Sequence, residues 1–491
     1  MDKDLCSIQE TRDLIACAKK AQSRLAACSQ MQIDQIVKAI SEATFSQRER
    51  FAKMAAEETG FGIYEDKIIK NAFASKIVYE ELKEKKTVGI IHDDPQKKVT
   101  EVAVPVGVIA GLIPSTNPTS TVIYKALIAL KAANSIVFSP HPNAVQSICA
   151  TVEVIRAAIE SAGGPKDSVC VITTPTMAAT NELMTHQDTK LILATGGHAM
   201  VKAAYSSGTP AIGVGPGNGP AYIERSAPIS VAVRRIMDSK TFDNGTVCAS
   251  EQSIIVEKAM SEAVQTELTK QGAYFLNAEE AEKLSRFILR PNGTMNPQIV
   301  GRSVQHIASL AGLNIPFDRR LIVAKESHVG LKYPFSREKL APIIAYYTVE
   351  NWQEACDLSI EILKGEGAGH TMCIHTENKE IVREFGLRKP VSRLLVNTSG
   401  TLGGIGASTN LVPALTLGCG AVGGSSTSDN IGVENLFNVR RVAYGVTELA
   451  DIRQKFGKES HESTESVVGG KATDKEALID SLVAQVLARL Q

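Results

Sequence analysis

The sequence predicts an α/β protein whose parallel sheets are covered by helices. From residue 98 onward, short apolar runs rich in β-branched residues alternate with stretches of helical periodicity. Residues 8–84 instead repeat apolar side chains every three or four positions with few turn signals, which predicts a cap of helices. Short, continuously apolar strands separated by helices are typical of parallel sheets that are buried on both faces.

The alternating region divides into two groups of strands, which predicts two α/β lobes. The first group is predicted at 99–114, 135–140, 168–174, 190–195 and 209–215, with helices at 119–133 and 143–162. The second group is predicted at 252–257, 321–326, 343–349, 370–376 and 393–399. The segment 418–432 is too rich in Gly and Ser for a regular element, so it is predicted as a loop that permits close backbone approach.

Composition restricts the class of protein. The chain has 491 residues, 44% of them hydrophobic, which predicts a soluble globular protein of about three domains. Its 53 basic and 53 acidic side chains balance, which argues against a nucleic-acid partner. No run reaches the roughly 18 apolar residues that span a bilayer, and the first 30 residues carry charges throughout, unlike a secretory signal. The nine cysteines stand singly, with no Cys-x-x-Cys pair, so we expect no metal site and a cytoplasmic location.

One cysteine differs from the others in its surroundings. Cys248 lies between a Gly/Asn turn and a strand that begins near Gln252, as in a loop that presents a side chain to a cleft. A thiol is well suited to attack a carbonyl carbon because it is nucleophilic and partly ionised near neutral pH. Position alone leaves a buried structural cysteine as the alternative.

The residues around Cys248 and an upstream segment both match one family. Thr241-Phe-Asp-Asn-Gly-Thr-Val-Cys248 resembles the active-site loop Phe-x-Asn-x-Gly-Gln-x-Cys of the aldehyde dehydrogenase superfamily. Gly111-Leu-Ile-Pro-Ser-Thr-Asn-Pro118 resembles the family's Ile-Pro-Trp-Asn-Phe-Pro segment, whose Asn donates to the oxyanion. Aligning the prolines places Thr116 at that Asn. Thr116 and Asn117 are therefore both candidate donors beside the Cys248 backbone N–H.

Two further segments resemble the family's dinucleotide site. Glu338-Lys-Leu-Ala-Pro342 is similar to Glu-x-Phe-Gly-Pro, whose Glu holds the nicotinamide ribose, and residues 191–200 are similar to its pyrophosphate turn. Ser139 replaces the family's ribose-binding Lys and Pro142 replaces an acidic residue, so NADP stays open beside the expected NAD. The resemblance implies a cofactor site at Pro114, Ser115, Ser139, Pro140, His141, Thr195, Gly196, Gly197, Gly215, Glu338 and Leu340.

An absent residue indicates the branch of the family. Hydrolytic members carry a general-base Glu in a Glu-Leu-Gly-Gly segment, and here the matching position is Val214. Without that base, a thioester on Cys248 should survive until a thiol cofactor attacks it. The resemblance is therefore to the acylating branch, which uses coenzyme A and includes the aldehyde half of bifunctional aldehyde-alcohol dehydrogenases and the ethanolamine- and propanediol-pathway enzymes. The branch's Gly-His-Thr segment implies that His370 is a partner of Cys248 or of the CoA thiol.

We therefore expect an NAD- and CoA-dependent acylating aldehyde dehydrogenase acting on a short aldehyde, first acetaldehyde and then propionaldehyde. The alternatives are a hydrolytic aldehyde dehydrogenase that releases a carboxylic acid and a catalytically idle scaffold relative. The resemblance covers about residues 8–445 and implies a Rossmann-type cofactor lobe, a catalytic lobe and a β-flap that builds a homodimer or homotetramer. The corresponding ranges are 1–94 with 105–216, then 217–424, and for the flap 95–104 with 425–450.

The end of the chain carries a separate signal. Residues 451–472 are predicted to be a flexible linker, and residues 473–491 an amphipathic helix that opens with a capping-box pattern. This arrangement resembles the encapsulation peptides that anchor enzymes inside bacterial microcompartments. It implies a shell protein as partner and a place inside such a compartment, with docking on the protein's own oligomer as the alternative.

Overall fold

The computed structural model describes residues 2–456 and residue 481. The helices are α1 (Lys3–Leu25), α2 (Gln30–Ser46), α3 (Arg48–Thr59), α4 (Tyr64–Ala72), α5 (Val78–Leu82), α6 (Pro118–Lys131), α7 (Val145–Ser161), α8 (Met177–Thr185), α9 (His198–Ser206), α10 (Ile229–Thr241), α11 (Lys258–Lys270), α12 (Ala278–Ile288), α13 (Val304–Ala311), α14 (Trp352–Gly365), α15 (Lys379–Arg388), α16 (Gly400–Gly404) and α17 (Leu449–Phe456). The strands are β1 (Gly89–Asp94), β2 (Val99–Pro105), β3 (Val108–Ile113), β4 (Ser135–Pro140), β5 (Val169–Val171), β6 (Thr189–Ala194), β7 (Ala211–Gly213), β8 (Pro220–Ile223), β9 (Ser253–Glu257), β10 (Ala273–Phe275), β11 (Leu321–Lys325), β12 (Ile343–Val349), β13 (Gly369–His375), β14 (Val391–Val396) and β15 (Phe437–Ala443).

The predicted helical cap at the start of the chain is present as α1 to α5. Helix α2 begins with a capping box in which Ser29 and Gln32 satisfy each other's backbone N–H groups. Its apolar stripe, at Ile33, Ile36 and Ile40, is fully or almost fully buried. The stripe packs in the same core cluster as α6 and α7 on one face of the first sheet, whereas α1 packs Ile15 and Ala18 into the cluster on the other face.

The first sheet is five-stranded and parallel, in the order β5-β4-β3-β6-β7. The strand order reverses between β3 and β6, and a parallel sheet binds ligands at such a switch point, outside the carboxyl ends of its strands. Lys125 of α6 is completely buried beneath this point, where its Nζ donates to the carbonyls of Leu112 and Leu193 at 2.8 Å each. Burial lowers the Lys125 pKa far below its ordinary value. The two strand ends are therefore held together at the switch point.

The second sheet is seven-stranded and parallel, in the order β10-β11-β12-β9-β8-β13-β14. All five strands predicted for this lobe are present, at β9, β11, β12, β13 and β14. Strands β8 and β10 were not predicted, because each has only three or four residues and follows a glycine-containing segment. The two sheets meet the prediction of two α/β lobes, and the change from one to the other falls between β7 and β8.

The third sheet has the order β1-β2-β15 and corresponds to the predicted flap. The chain separates into a large unit, 1–91 with 103–439, and a small unit that contains 92–102 and the residues from 440 onward. The predicted flap range 425–450 is therefore too long. Ile431, Val433 and Leu436 are completely buried in a core cluster of the large unit, and the carbonyl of Leu436 accepts from the Asn134 amide at 2.7 Å.

The start of the predicted flexible linker, residues 451–456, differs from the structure. Residues 451–456 are helical, as part of α17, whereas a linker was predicted from residue 451. The rest of that linker and the predicted helix at 473–491 lie outside the described residues, apart from residue 481. Within the described part of the chain, no helix combines the length and apolar character needed to cross a membrane.

Candidate active site

A cavity of about 630 Å³ lies between the carboxyl ends of the first sheet and the loops that precede the strands of the second. The structure brings almost every predicted site residue to its wall. Those residues are Pro114, Ser115, Thr116, Asn117, Ser139, Pro140, His141, Thr195, Gly196, Gly197, Gly215, Cys248, Glu338 and Leu340. His370 is the one predicted site residue that does not line the cavity.

One end of the cavity is the switch point of the first sheet. Gly196 and Gly197 follow Thr195 just after the end of β6, and Gly197 is the N-cap of α9, so backbone N–H groups and the positive end of a helix face the cavity. A Cβ added at Gly197 would meet nothing within 4 Å. The corner has open space beside a helix N-terminus, and it therefore fits the pyrophosphate of a dinucleotide.

The nucleophile loop begins with a strained turn. Asp243 and Asn244 have φ angles of 49° and 53°, in the left-handed region that residues with a Cβ rarely adopt. The Asp243 carboxylate is completely buried and accepts hydrogen bonds from the backbone N–H of Ile63 at 2.6 Å and from the Lys67 ammonium at 3.1 Å. The Asn244 amide donates to the carbonyl of Gly301 at 3.0 Å. These contacts, distant in sequence, hold the turn that leads to Cys248.

Cys248 is half-buried on the cavity wall. Burial raises the pKa of its thiol to about 12, and the nearby Glu338 carboxylate acts in the same direction, while the Arg393 guanidinium opposes it. The expectation that this thiol is partly ionised near neutral pH is therefore wrong for the protein alone. A cationic group brought into the cavity would favour the thiolate.

Glu338 lies beside the same loop. Its Oε1 accepts a hydrogen bond from the backbone N–H of Gly217 at 2.8 Å, and a Cβ on Gly217 would stand only 1.8 Å from the Cys248 carbonyl oxygen. Burial raises the pKa of Glu338 to about 8, and the Glu366 carboxylate contributes in the same sense. Glu338 thus stands next to the nucleophile loop with an oxygen on the cavity wall.

Thr116 and Asn117, the two candidate oxyanion donors, both line the cavity, just before α6. The Asn117 side-chain oxygen accepts from the Lys70 ammonium at 2.5 Å. Its nitrogen lies 3.3 Å from the Thr116 hydroxyl and 3.4 Å from the Thr246 carbonyl. The backbone oxygen of Thr116 accepts from Lys67 at 3.2 Å.

His370 is completely buried at the start of β13. Its Nδ1 lies 3.0 Å from the Thr371 hydroxyl, while its Nε2 has no partner among the described residues. Burial and the Arg393 guanidinium lower the His370 pKa to about 3, so the ring is neutral. No hydrogen bond joins it to Cys248 in this structure, and its predicted role with the thiol or with CoA stays a prediction.

Sequence reasoning did not find the buried cations around the site. Lys70 lines the cavity, Lys240 donates to Gln252 at 2.8 Å behind the nucleophile loop, and Arg393 donates to the Thr371 hydroxyl at 3.2 Å. Burial lowers the Lys240 pKa to about 7. No spacing in the sequence links these residues to Cys248, since each reaches the site from a different element.

Comparison with known proteins identifies the family. A model of the aldehyde dehydrogenase family matches residues 4–285, more than half of the chain. The chain is also 42% identical to the bifunctional aldehyde-alcohol dehydrogenase of Escherichia coli K12 over 442 residues, which are 89% of this chain and 50% of that protein. This chain therefore belongs to the aldehyde dehydrogenase family, and it spans about half the length of the curated relatives it matches.

Two solved structures extend the similarity to the fold. The "probable aldehyde dehydrogenase" of Listeria monocytogenes EGD-e is 68% identical with a TM-score of 0.92, and the match covers 92% of this chain and 100% of that one. An acetylating aldehyde dehydrogenase of Geobacillus thermoglucosidasius is 53% identical with a TM-score of 0.90, and the match covers 91% and 99%. The predicted fold, a Rossmann-type lobe joined to an α/β catalytic lobe, is confirmed.

Proposed function

We propose that this chain is a CoA-acylating aldehyde dehydrogenase, which converts an aldehyde, NAD⁺ and CoA into acyl-CoA, NADH and a proton. The observation that carries the proposal is the composition of the cavity wall. Cys248 and the glycine corner share one cavity, while Val214 occupies the position of the hydrolytic base. Glu338 is the only carboxylate among the residues that line it. The acetylating enzyme of Geobacillus thermoglucosidasius, similar over nearly the whole chain, supports the same branch.

In the proposed reaction, the Cys248 sulfur attacks the aldehyde carbon and the thiol proton passes to solvent. The backbone N–H of Cys248 and a side chain at 116 or 117 hold the resulting oxyanion. NAD⁺, when bound, accepts the hydride. Gly196, Gly197 and the N-terminus of α9 would hold its pyrophosphate, and Glu338 its nicotinamide ribose. The thioester left on Cys248 then transfers its acyl group to the CoA sulfur, and the cysteine leaves as thiolate.

The absence of a base at Val214 would keep water from competing with CoA. Water needs a general base to attack a thioester at a useful rate, whereas a thiol of ordinary acidity needs little assistance. Val214 is an apolar, nearly buried side chain on the cavity wall. It can neither accept a proton from water nor hold water in place by hydrogen bonding.

We propose a short, uncharged aldehyde as substrate, acetaldehyde first and propionaldehyde second. Among the lining residues, the only Lys or Arg is Lys70, and its ammonium already contacts Asp243. An aldehyde that carries a carboxylate or sulfonate would lack a free cationic partner in the cavity. The wall also carries apolar side chains, among them Ile405, Leu415 and Leu417.

The test has two parts. Steady-state NADH formation from acetaldehyde is measured with and without CoA, and we expect turnover to require CoA, with thioester product detected by mass spectrometry. Equal rates without CoA would instead support the hydrolytic alternative. The variant Cys248→Ala should abolish CoA-dependent NADH formation, and more than a few per cent of residual activity would contradict the assignment. A wild-type protein that folds but neither binds NAD nor turns over would support the idle-scaffold alternative.

A further inference from the structure

Helix α4 brings two buried lysines to the turn that precedes the nucleophile. Lys67 and Lys70 lie one helical turn apart and are 3% and 4% exposed. Both ammonium groups contact the same oxygen of the Asp243 carboxylate. Lys70 also donates to the Thr246 hydroxyl at 2.9 Å, two residues before Cys248. The cap of helices is thus joined directly to the catalytic loop.

Of the two lysines, only Lys70 also donates a hydrogen bond to Asn117. Its ammonium lies 2.5 Å from the Asn117 side-chain oxygen. A lysine has donors and no acceptor, so the amide atom that faces it must be the oxygen, and the NH₂ group must be at the opposite end of the carboxamide. Lys70 therefore determines which way Asn117 presents its donor.

The NH₂ group of Asn117 is poorly satisfied within the protein. Its contacts with the Thr116 hydroxyl and the Thr246 carbonyl, at 3.3 and 3.4 Å, are longer than the usual range of about 2.7–3.2 Å. Asn117 lines the same cavity as Cys248. The group is thus a half-used donor on the wall of the cavity that holds the nucleophile.

We propose that Lys70 is a positioning residue that holds the Asn117 carboxamide as the side-chain donor to the oxyanion formed on Cys248. The inference deepens the proposed aldehyde oxidation and rests on it. It selects Asn117 over Thr116, because a lysine holds the Asn117 side chain, whereas only the backbone oxygen of Thr116 accepts from a lysine, Lys67.

The experiment isolates the first half-reaction. Without CoA, enzyme, NAD⁺ and acetaldehyde should give a burst of NADH as the acyl-enzyme forms, and stopped-flow absorbance measures its rate. Asn117→Ala should slow this burst by about 10²–10³-fold, as for the loss of one oxyanion donor. Lys70→Gln should slow it by about tenfold or more, with little change in the KM for acetaldehyde, because the interaction forms only in the transition state.

A double-mutant cycle separates positioning from general damage. If Lys70 acts through Asn117, the double variant Lys70→Gln/Asn117→Ala should be no slower than Asn117→Ala alone. Lys67→Gln is the matched control, because Lys67 lies on the same helix and contacts the same Asp243 but not Asn117. Its effect should multiply with that of Asn117→Ala. Lys70→Arg, which retains a cationic donor, should recover part of the rate and replaces Lys70→Gln in the cycle if the latter unfolds.

The outcomes that overturn the inference are distinct from those that overturn the function. Multiplicative effects of Lys70→Gln and Asn117→Ala, or an Asn117→Ala burst as fast as the wild type, would refute the positioning role. The variant Thr116→Val gives a further test. If it slows the burst by the roughly 10²–10³-fold expected of Asn117→Ala, the oxyanion donor is Thr116 and the positioning role of Lys70 is refuted as well. If instead Cys248→Ala retains its activity, the proposed function itself fails.

Discussion

At the scale of single residues, burial decides the protonation of the groups at the centre of the cavity. It raises the pKa of Cys248 to about 12 and that of Glu338 to about 8. Both groups are therefore neutral at neutral pH in the protein alone. A neutral thiol is a poor nucleophile. The resting site thus protects its thiol until a ligand changes the electrostatic environment.

The thiol can be tested without turnover. We expect the rate at which iodoacetamide alkylates Cys248 to rise about tenfold for each unit of pH from 7 to 10, because the thiolate fraction does so below the pKa. Peptide mass spectrometry quantifies the modification, and exposed Cys6 reports reaction with an accessible thiol in the same sample. A rate that levels off between pH 7 and 9 would show that the thiol is ionised and contradict the burial argument.

Glu338 should make stability depend on pH. Its folded-state pKa of about 8 lies above the ordinary 4.5, so the folded protein binds more protons between these values. The contribution of the protonated carboxyl is fully present below about pH 4.5 and is lost as the pH rises through 8. Glu338→Gln should therefore lose less free energy of unfolding than the wild type between pH 6 and 9.

Urea titrations at both pH values measure that difference. Exposed Glu350, which pairs with Lys258 on the surface, supplies the control Glu350→Gln, whose pH dependence should match that of the wild type. The prediction fails if Glu338→Gln and the wild type lose the same stability over this range.

At the scale of elements, the glycine segment before β8 packs backbone to backbone against the catalytic loop. A Cβ on Gly217 would stand 1.8 Å from the Cys248 carbonyl oxygen, and one on Gly219 would stand 2.4 Å from the Thr371 carbonyl oxygen. Neither backbone oxygen can rotate away as a side chain would. The same segment supplies Val214 and the N–H that Glu338 accepts.

Gly217→Ala should therefore displace the nucleophile loop. We expect overpacking to cost about 1–3 kcal/mol of stability and the NADH burst to fall further than stability alone explains, because Cys248 and Glu338 both move. Thermal unfolding and the burst rate measure the two effects. Gly386→Ala in α15 is the matched control, because the added Cβ would meet only a methyl group of Leu394, at a distance of 3.9 Å. Normal burst rates in both variants would contradict the prediction.

A feature of this molecule can be predicted from the sequence when the residues that form it are close together along the chain. Strands such as β4 and β12 are visible because their apolar runs are local, and Cys248 is identified because its motif is local. Lys70 and Asp243 are 173 positions apart and meet only in the folded chain. His370 was assigned from a local motif, but whether it reaches the cavity depends on how β13 packs in the folded chain, which no local pattern encodes.

At the scale of the whole molecule, the described lining of the cavity comes from the main body of the chain. The residues that line the cavity fall between Phe61 and Leu417. The described residues from 440 onward include exposed apolar side chains at Tyr444, Val446 and Phe456. The predicted homodimer or homotetramer stays a prediction. The tail can therefore be removed to ask what it does apart from catalysis.

Deletion of residues 457–491 should leave kcat, the KM for acetaldehyde and the melting temperature unchanged, because the described residues that line the cavity all lie between Phe61 and Leu417. If residues 473–491 dock on a microcompartment shell protein, the same segment fused to a fluorescent protein should co-localise with shells in cells that express them. Replacing Leu482 and Val486 by Glu in that fusion, which places charge on its apolar face, should abolish the co-localisation. Loss of folding or of the oligomer on deletion, measured by light scattering, would instead show that the tail docks on the enzyme itself, because a segment that serves only as an anchor contributes nothing to the free energy of assembly.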